Sequence, residues 1–229
     1  MKNSHWILTP QLNQQFLILH IPKTAGTTFR KLITKHVNQD GLYPSNFHLF
    51  TNNDKYLPQK KLIENRKDLL KKPIIMGHYN VRLLPHLSEN VKTIVFFRKP
   101  MDRILSHIKH ILQKDPAYQD GDPNKVIEDK LDLLANLQSR IMGYNKRRPN
   151  METVLENLSK MTFIGIQESF AESIAKLNEK LAWHLDYQEE VYNASSLEFA
   201  IPIRQENMDK IQEAMQPDRE LYEEALKRY

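Results

Sequence analysis

Short apolar runs alternate along the chain with longer amphipathic stretches. The runs are rich in β-branched and aromatic residues, which is typical of strands buried on both faces of a sheet. They lie at residues 16–21, 73–77, 91–97 and 161–166, with a further short run at Phe199–Ile201. Because strands that alternate with helices favour a parallel arrangement, the pattern predicts an α/β fold with a parallel sheet of about four to five strands flanked by helices.

The stretches between these runs repeat apolar residues at helical spacing. One of them opens with Pro100 and Asp102, and proline and an acidic residue both favour the first turn of a helix. The spacing predicts helices over residues 27–37, 60–68, 100–112, 126–141 and 171–185, followed by further helices up to the C-terminus. The C-terminal half is therefore predicted to be rich in helix.

Length and hydropathy favour one domain. The chain has 229 residues, of which 40% are hydrophobic, and a mean hydropathy of -0.60. This length can bury one sizeable core, so we expect a single domain over residues 1–229, with residues 1–15 as a loosely ordered lead-in. The apolar runs are much shorter than the roughly 18 to 20 residues of a membrane helix. The first residues also lack the apolar stretch of a signal peptide, and we expect no membrane span.

The net charge and the residue composition favour some classes of ligand and exclude some kinds of catalytic or metal site. A net charge of +5 and a pI of about 9.2 fit the binding of a polyanionic cofactor or an acidic acceptor. The chain contains no cysteine, which excludes disulfides, thiol catalysis and cysteine-based metal sites. The nine histidines show no ligand spacing such as HExxH, so no metal site is expected.

The segment after the first apolar run has the composition of an anion-binding turn. It passes through Pro22 and Lys23 into small or hydroxyl-bearing residues, and a helical pattern then begins. The free N–H groups of a helix N-terminus, together with threonine hydroxyls and one ammonium, can bind an anion. A nucleotide-triphosphatase P-loop requires a glycine at each end and a Lys-Ser/Thr pair after the second. Here Lys23 precedes Gly26 instead, so that motif is absent.

A second motif begins where the run at 91–97 ends. Arg98 stands at the end of this predicted strand, and Ser106 follows eight residues later in a predicted helix. Arginine suits phosphate binding because its planar guanidinium makes paired, charge-assisted hydrogen bonds.

The two segments, PKTAGTT at 22–28 and Arg98 to Ser106, closely resemble the 5′-phosphosulfate loop and the 3′-phosphate motif of the sulfotransferases that use 3′-phosphoadenosine 5′-phosphosulfate (PAPS). The form of the first segment is similar to that of family 2, the branch that includes the carbohydrate 2-O-sulfotransferases and many bacterial relatives. The acidic residue that usually follows the arginine is replaced by Lys99. The resemblance continues through Asn136–Arg140, Gly165–Ser173 and Asp218–Tyr222, and it is sparse at 41–72 and 186–206.

The resemblance implies a P-loop-like sheet, PAPS as donor, and transfer without a metal. It implies that Arg98 and Ser106 hold the 3′-phosphate and that Lys23 also takes part in catalysis. The residues implied to hold the 5′-phosphosulfate are Lys23, Thr24, Ala25, Gly26, Thr27 and Thr28. Because eukaryotic relatives carry an N-terminal membrane anchor that is not found here, we expect a cytoplasmic protein of the bacterial type.

His78 follows the apolar run at 73–77. Ligands of open parallel sheets gather at the carboxyl ends of the strands, so His78 is expected on the same rim as Lys23. In the family, the Gly-His pair at this point supplies the catalytic base, and a neutral imidazole can accept a hydroxyl proton near pH 7. His48, His86 and His107 remain alternative bases, whereas His20 is expected to be structural.

Two other functions stay open from the sequence. One is a small P-loop kinase that uses ATP and Mg²⁺, and the other is a polyanion-binding domain without enzymatic activity. The acceptor is also open, since a glycan, a lipid headgroup or a metabolite would each offer a hydroxyl. We expect acceptor recognition by residues 41–72, 114–123 and 186–202, and no nucleic-acid partner.

Overall fold

A five-stranded parallel sheet forms the centre of the computed structural model, which describes residues 14–37, 41–43, 59–144, 147–188 and 201–229. The strands are β1 Phe16–Leu19, β2 Leu42–Tyr43, β3 Ile74–Gly77, β4 Lys92–Phe97 and β5 Phe163–Ile166. Their order across the sheet is β2-β3-β1-β4-β5, and every pair is parallel. The predicted α/β fold is confirmed.

Helices surround the sheet and dominate the second half of the chain, as predicted. They are α1 Gly26–Thr34, α2 Gln59–Glu64, α3 Arg66–Leu69, α4 Pro100–Lys114, α5 Pro123–Leu134, α6 Leu137–Met142, α7 Met151–Ser159, α8 Phe170–Leu181, α9 Gln205–Ala214 and α10 Gln216–Arg228. Short 3-10 helices lie at Val81–His86, Pro116–Tyr118 and Gln167–Ser169. Of the helices that the structure describes, none is both long and apolar enough to span a membrane.

Both faces of the sheet are buried. Successive side chains of a strand point to opposite faces, and in β1 Leu17 and Leu19 enter one core while Phe16 and Ile18 enter the other. Helices α1 and α8 cover the face of Phe16, and α2, α3, α6, α7 and α10 cover the opposite face. Burial on both sides explains why the strands read as continuous apolar runs. Helices α4, α5 and α9 share a third apolar cluster.

The helix predicted over residues 126–141 is in fact two helices. Between α5 and α6, Asn136 has a left-handed backbone with φ of 54°. Asparagine tolerates this conformation better than most residues. Its side chain also joins the break to the C-terminal helices, because Nδ2 donates to the Ala214 carbonyl and Oδ1 accepts from the Asp218 N–H. Apolar spacing continues across the break and therefore gave no sign of it.

Two further elements were not predicted. Strand β2 is only two residues long, which is too short for a periodic signal. Helix α7 has a recognisable start, since the Asn150 side chain accepts a hydrogen bond from the Thr153 N–H at 3.0 Å, and asparagine is a favoured N-cap. Of the short strand expected at Phe199–Ile201, residues 199–200 lie outside the described part of the chain.

The chain is firmly held where it enters the sheet. Residues 1–13, most of the expected lead-in, lie outside the described residues, but Gln15 is buried. Its Nε2 donates to the carbonyls of Leu69 and Lys72 at 3.0 and 2.9 Å, and its Oε1 accepts from the Ser88 N–H at 3.0 Å. These bonds fix the start of β1 to the segments that precede β3 and β4.

Candidate active site

Three neighbouring strands end at one rim and carry the three predicted motifs. In the central strand, Leu19 is paired with Gly77 of β3 on one side and with Val95 of β4 on the other. The turn with Lys23 follows β1, His78 follows β3 directly, and Arg98 follows β4 directly. Neighbouring strands lie only about 4.8 Å apart. The fold therefore gathers the three motifs at the carboxyl edge of the sheet.

The turn after β1 has an unusual backbone. Lys23 and Ala25 both have positive φ, at 70° and 63°, although neither is glycine. Such left-handed residues are strained and tend to occur at functional sites, where backbone N–H groups are turned into one concave surface. Thr24, between them, is buried, and its hydroxyl donates to the Ile21 carbonyl at 2.9 Å. This side chain stabilises the turn, which leaves the backbone N–H as the group that Thr24 can offer to an anion.

The N-terminus of α1 opens onto this turn. Ala25 is its N-cap and makes no side-chain capping bond, and the first turn, as described, contains no acidic residue. Gly26 is buried, Thr27 is exposed and Thr28 is partly exposed. Unpaired N–H groups and the positive end of the helix dipole favour a negatively charged ligand here.

Gly26 is required by the close approach of His20. A Cβ at position 26 would lie 1.8 Å from Cδ2 and 2.1 Å from Nε2 of His20. The His20 ring is buried and meets the ring of His78 edge-on, with the ring centres 4.7 Å apart. Burial, the nearby His78 and Arg30 together lower the pKa of His20 to about 3. His20 is thus a neutral, buried ring that packs between the turn and His78.

A substitution of Gly26 tests this packing. We expect Gly26→Ala to lower the free energy of unfolding by about 1 to 3 kcal/mol, because the new methyl group overpacks against His20. Helix propensity alone predicts that the same substitution raises the free energy of unfolding, since alanine is favoured over glycine by about 1 kcal/mol within a helix. Urea denaturation measures the difference. In a His20→Ala background the same substitution should cost little, and an equal cost there would contradict the packing argument.

Lys23 and Arg98 are in direct contact. The guanidinium Nη1 of Arg98 donates to the Lys23 carbonyl at 3.3 Å, across 75 positions of sequence. The pKa of the Lys23 ammonium is lowered, first by desolvation and then by the positive charge of Arg98. Within the described residues, neither side chain has a carboxylate at ion-pair distance, and the buried Nε of Arg98 has no hydrogen-bond partner. Two adjacent cations without a counterion favour the binding of an anion.

Ser106 lies on the helix that follows Arg98. It falls in the second turn of α4, where its side chain is partly exposed. Arg103 of the same helix is fully buried and pairs with Asp218 at 3.9 Å. Arg103 therefore belongs to the interior, whereas Ser106 stays partly accessible.

His107 lies close enough to both His78 and Lys23 to interact with them electrostatically. His78 is exposed to solvent in part, and desolvation of its ring lowers its pKa to about 4. Desolvation also lowers the pKa of His107 to about 4, with further contributions from Arg103, His110, Lys23 and His78. Both imidazoles are therefore neutral at pH 7, and each can accept a proton.

The remaining residues and segments that the sequence singled out lie partly within and partly outside the described residues. His86 is partly buried at the end of a 3-10 helix, and its carbonyl accepts from the Arg66 Nε at 3.1 Å. Residues 44–58 of the expected acceptor segment 41–72, which include His48, and residues 189–200 of the segment 186–202 lie outside the described residues. Among the residues that are described, no three histidine or acidic side chains gather as a possible metal-ligand set.

Two residues that support the site were missed by sequence reasoning. Gln138 and Glu168 lie in the segments Asn136–Arg140 and Gly165–Ser173 that resemble the family, but the sequence did not place either of them beside Arg98. In the structure, both hydrogen-bond the backbone of the segment Arg98–Lys99. Sequence spacing gives no sign of such contacts, because the partners are 40 and 69 positions apart.

Comparison with known proteins gives one clear match. A family model described as "Sulfotransferase family" matches residues 10–224, nearly the whole chain, including all three motifs at the rim of the sheet. A search of curated proteins found no match. The chain therefore belongs to the sulfotransferase family, as a family 2 member.

Proposed function

We propose that this protein transfers the sulfuryl group of PAPS to an acceptor hydroxyl, without a metal. The observation that carries the proposal is the contact between Arg98 and the Lys23 carbonyl, 3.3 Å long. The contact holds the guanidinium against the backbone of the turn, close enough for its charge to lower the pKa of the Lys23 ammonium. The donor has one phosphate at the 3′ position of its ribose and another at the 5′ position. One anion-binding motif for each end, side by side, fits such a ligand.

The turn after β1 would bind the 5′-phosphosulfate. Lys23 supplies a positive charge, and Thr24 and Ala25 supply backbone N–H groups. Thr27 and Thr28 in the first turn of α1 add N–H groups and hydroxyls, and Gly26 allows the turn to pack against His20.

The 3′-phosphate would lie between Arg98 and Ser106. The guanidinium of Arg98, whose Nε has no hydrogen-bond partner, would bond two phosphate oxygens, and this would distinguish PAPS from a donor without a 3′-phosphate. Ser106 adds a hydroxyl from α4.

In the reaction, the acceptor oxygen would attack sulfur in line with the bond to the leaving phosphate. A new O–S bond forms, the S–O bond to the 5′-phosphate breaks, and adenosine 3′,5′-bisphosphate departs with the bonding electrons. His78 removes the acceptor proton as a general base, for which its neutral state at pH 7 is suited. Lys23 stabilises the negative charge that grows on the phosphate.

The acceptor is a molecule with a free hydroxyl, and a glycan, a lipid headgroup and a small metabolite are all candidates. The segments 41–72, 114–123 and 186–202 would recognise it in the cytoplasm. A screen of hydroxyl compounds with PAPS, read as the mass gain of one sulfate, identifies it.

Binding of the product nucleotide tests the proposal without an acceptor. We expect adenosine 3′,5′-bisphosphate at about 100 times its Kd to stabilise the protein by about 2.7 kcal/mol, which raises the Tm by roughly 5 to 10 °C. The shift should be unchanged by EDTA, and adenosine 5′-monophosphate should give a smaller one. A large shift with ATP and Mg²⁺ and none with the bisphosphate would contradict the proposal.

A further inference from the structure

The segment Arg98–Lys99 is held by side chains from distant parts of the chain. Gln138 makes two hydrogen bonds to the backbone of Arg98: its Oε1 accepts from the N–H and its Nε2 donates to the carbonyl, both at 2.9 Å. Gln138 is fully buried. Both main-chain polar groups of Arg98 are therefore fixed by one side chain.

Glu168 fixes the next residue in the same way. Its Oε1 accepts a hydrogen bond from the Lys99 N–H at 2.8 Å, and its Oε2 accepts one from the Tyr222 hydroxyl at 3.0 Å. Lys99 is the N-cap of α4 and makes no capping bond of its own. The carboxylate of Glu168 thus holds the helix start from outside, and the buried phenol of Tyr222 holds the carboxylate.

Residues of the C-terminal helix α10 in turn hold both Gln138 and Glu168. The buried carboxylate of Asp218 in α10 accepts hydrogen bonds from the N–H groups of Gln138 and Ser139, at 3.3 and 2.7 Å, and from the Ser139 hydroxyl at 2.7 Å. Tyr222, the partner of Glu168, lies one turn further along α10. The last helix therefore anchors both side chains that hold Arg98–Lys99.

We infer that Glu168, together with Gln138, is a positioning residue that fixes Arg98 for the 3′-phosphate of the donor. The inference rests on the proposed function and deepens it. Neither residue contacts the phosphate in this arrangement. Each acts through the backbone of the segment Arg98–Lys99, and the guanidinium of Arg98 is thereby held against the Lys23 carbonyl. Fixing the backbone lowers the entropy that Arg98 loses on binding.

The direction in which nucleotide affinity changes distinguishes a positioning role of Glu168 from a purely electrostatic one. Glu168 is a carboxylate close to a site for phosphate, so removal of its charge alone should strengthen the binding of an anion. Loss of positioning should weaken it. Glu168→Gln removes the charge but keeps an oxygen that accepts from the Lys99 N–H, whereas Glu168→Ala removes both.

The experiment measures Kd by calorimetry for adenosine 3′,5′-bisphosphate and for adenosine 5′-monophosphate, which lacks the 3′-phosphate. For Glu168→Ala we expect the Kd of the bisphosphate to rise about tenfold, the effect of weakening one hydrogen bond to a charged group. The Kd of the monophosphate should change less than about twofold, because the 5′ site is separate. Glu168→Gln should bind the bisphosphate at least as tightly as the wild type.

Two controls complete the design. Glu179→Ala removes an exposed carboxylate from α8 and should leave both Kd values unchanged. In an Arg98→Ala background, Glu168→Ala should cause no further loss, because the positioned side chain is already gone. Glu168 is exposed, so its replacement leaves no internal cavity, and the Tm of each variant checks the fold.

The inference is overturned if Glu168→Ala binds the bisphosphate as tightly as the wild type or more tightly. It is also overturned if both nucleotides weaken equally, which would indicate a general loss of structure. These results leave the proposed function intact. A wild-type protein that binds neither nucleotide, or binds both equally, would overturn the proposed donor site together with the inference.

Discussion

Replacing Lys23 by alanine is expected to lower kcat/KM for sulfuryl transfer by about 30- to 1000-fold, equivalent to about 2 to 4 kcal/mol of transition-state stabilisation. Lys23 lies at the carboxyl edge of the sheet beside Arg98, partly buried, where a charge acts more strongly than in open water. In the proposed reaction, negative charge grows on the phosphate as the S–O bond breaks, and the ammonium of Lys23 would stabilise it. The loss should therefore fall mainly on kcat.

The measurement uses labelled PAPS and an acceptor found by the mass-gain screen. Alanine is preferred to glycine because alanine keeps the left-handed strain at this position, where φ is 70°. Lys31→Ala is the matched control, since it removes the same charge from an exposed position on α1. Activity of Lys23→Ala close to that of the wild type would refute the catalytic role of this lysine.

The rim of the sheet was predictable from sequence for a simple geometric reason. Each motif follows directly on an apolar run, and parallel strands bring their carboxyl ends to the same edge. Once the runs before Lys23, His78 and Arg98 are read as strands, these residues are expected at one edge of the sheet. The structure adds the order of the strands, with β1 between β3 and β4, which makes the three motifs immediate neighbours.

The supports of the site were not predictable, because they depend on contacts between distant positions. Thr24 looks like a donor for an anion, but its hydroxyl donates to the Ile21 carbonyl. Gly26 was expected only as a residue that holds the 5′-phosphosulfate, but the lack of a side chain there also makes room for His20. Glu168 looks like a residue of helix entry, and only the folded chain brings its carboxylate to the Lys99 N–H. Hydrophobic periodicity predicts which face of a helix or strand a residue lies on, but it does not predict which distant residue its side chain will contact.

Replacement of His78 tests the other half of the mechanism. We expect His78→Ala to lower kcat by about 100- to 10000-fold, the usual contribution of a general base. The Kd of adenosine 3′,5′-bisphosphate should change little, because the proposed donor contacts come from other residues. His86→Ala, which replaces a histidine on the neighbouring 3-10 helix, should retain nearly full activity.

The pH dependence of the rate also tests whether His78 is the general base. His78 acts as a base only when neutral, so the rate falls as pH drops through its pKa, which is about 4 in the free protein. Bound donor brings negative charge near the imidazole, favours the protonated form and raises this pKa. The acidic limb of the profile should therefore lie near pH 4 when donor is subsaturating and move upward when donor is saturating, and it should vanish in His78→Ala.

His107, with a pKa also near 4, is the competing base. A larger loss in His107→Ala than in His78→Ala, with the limb retained in the latter, would transfer the role to His107.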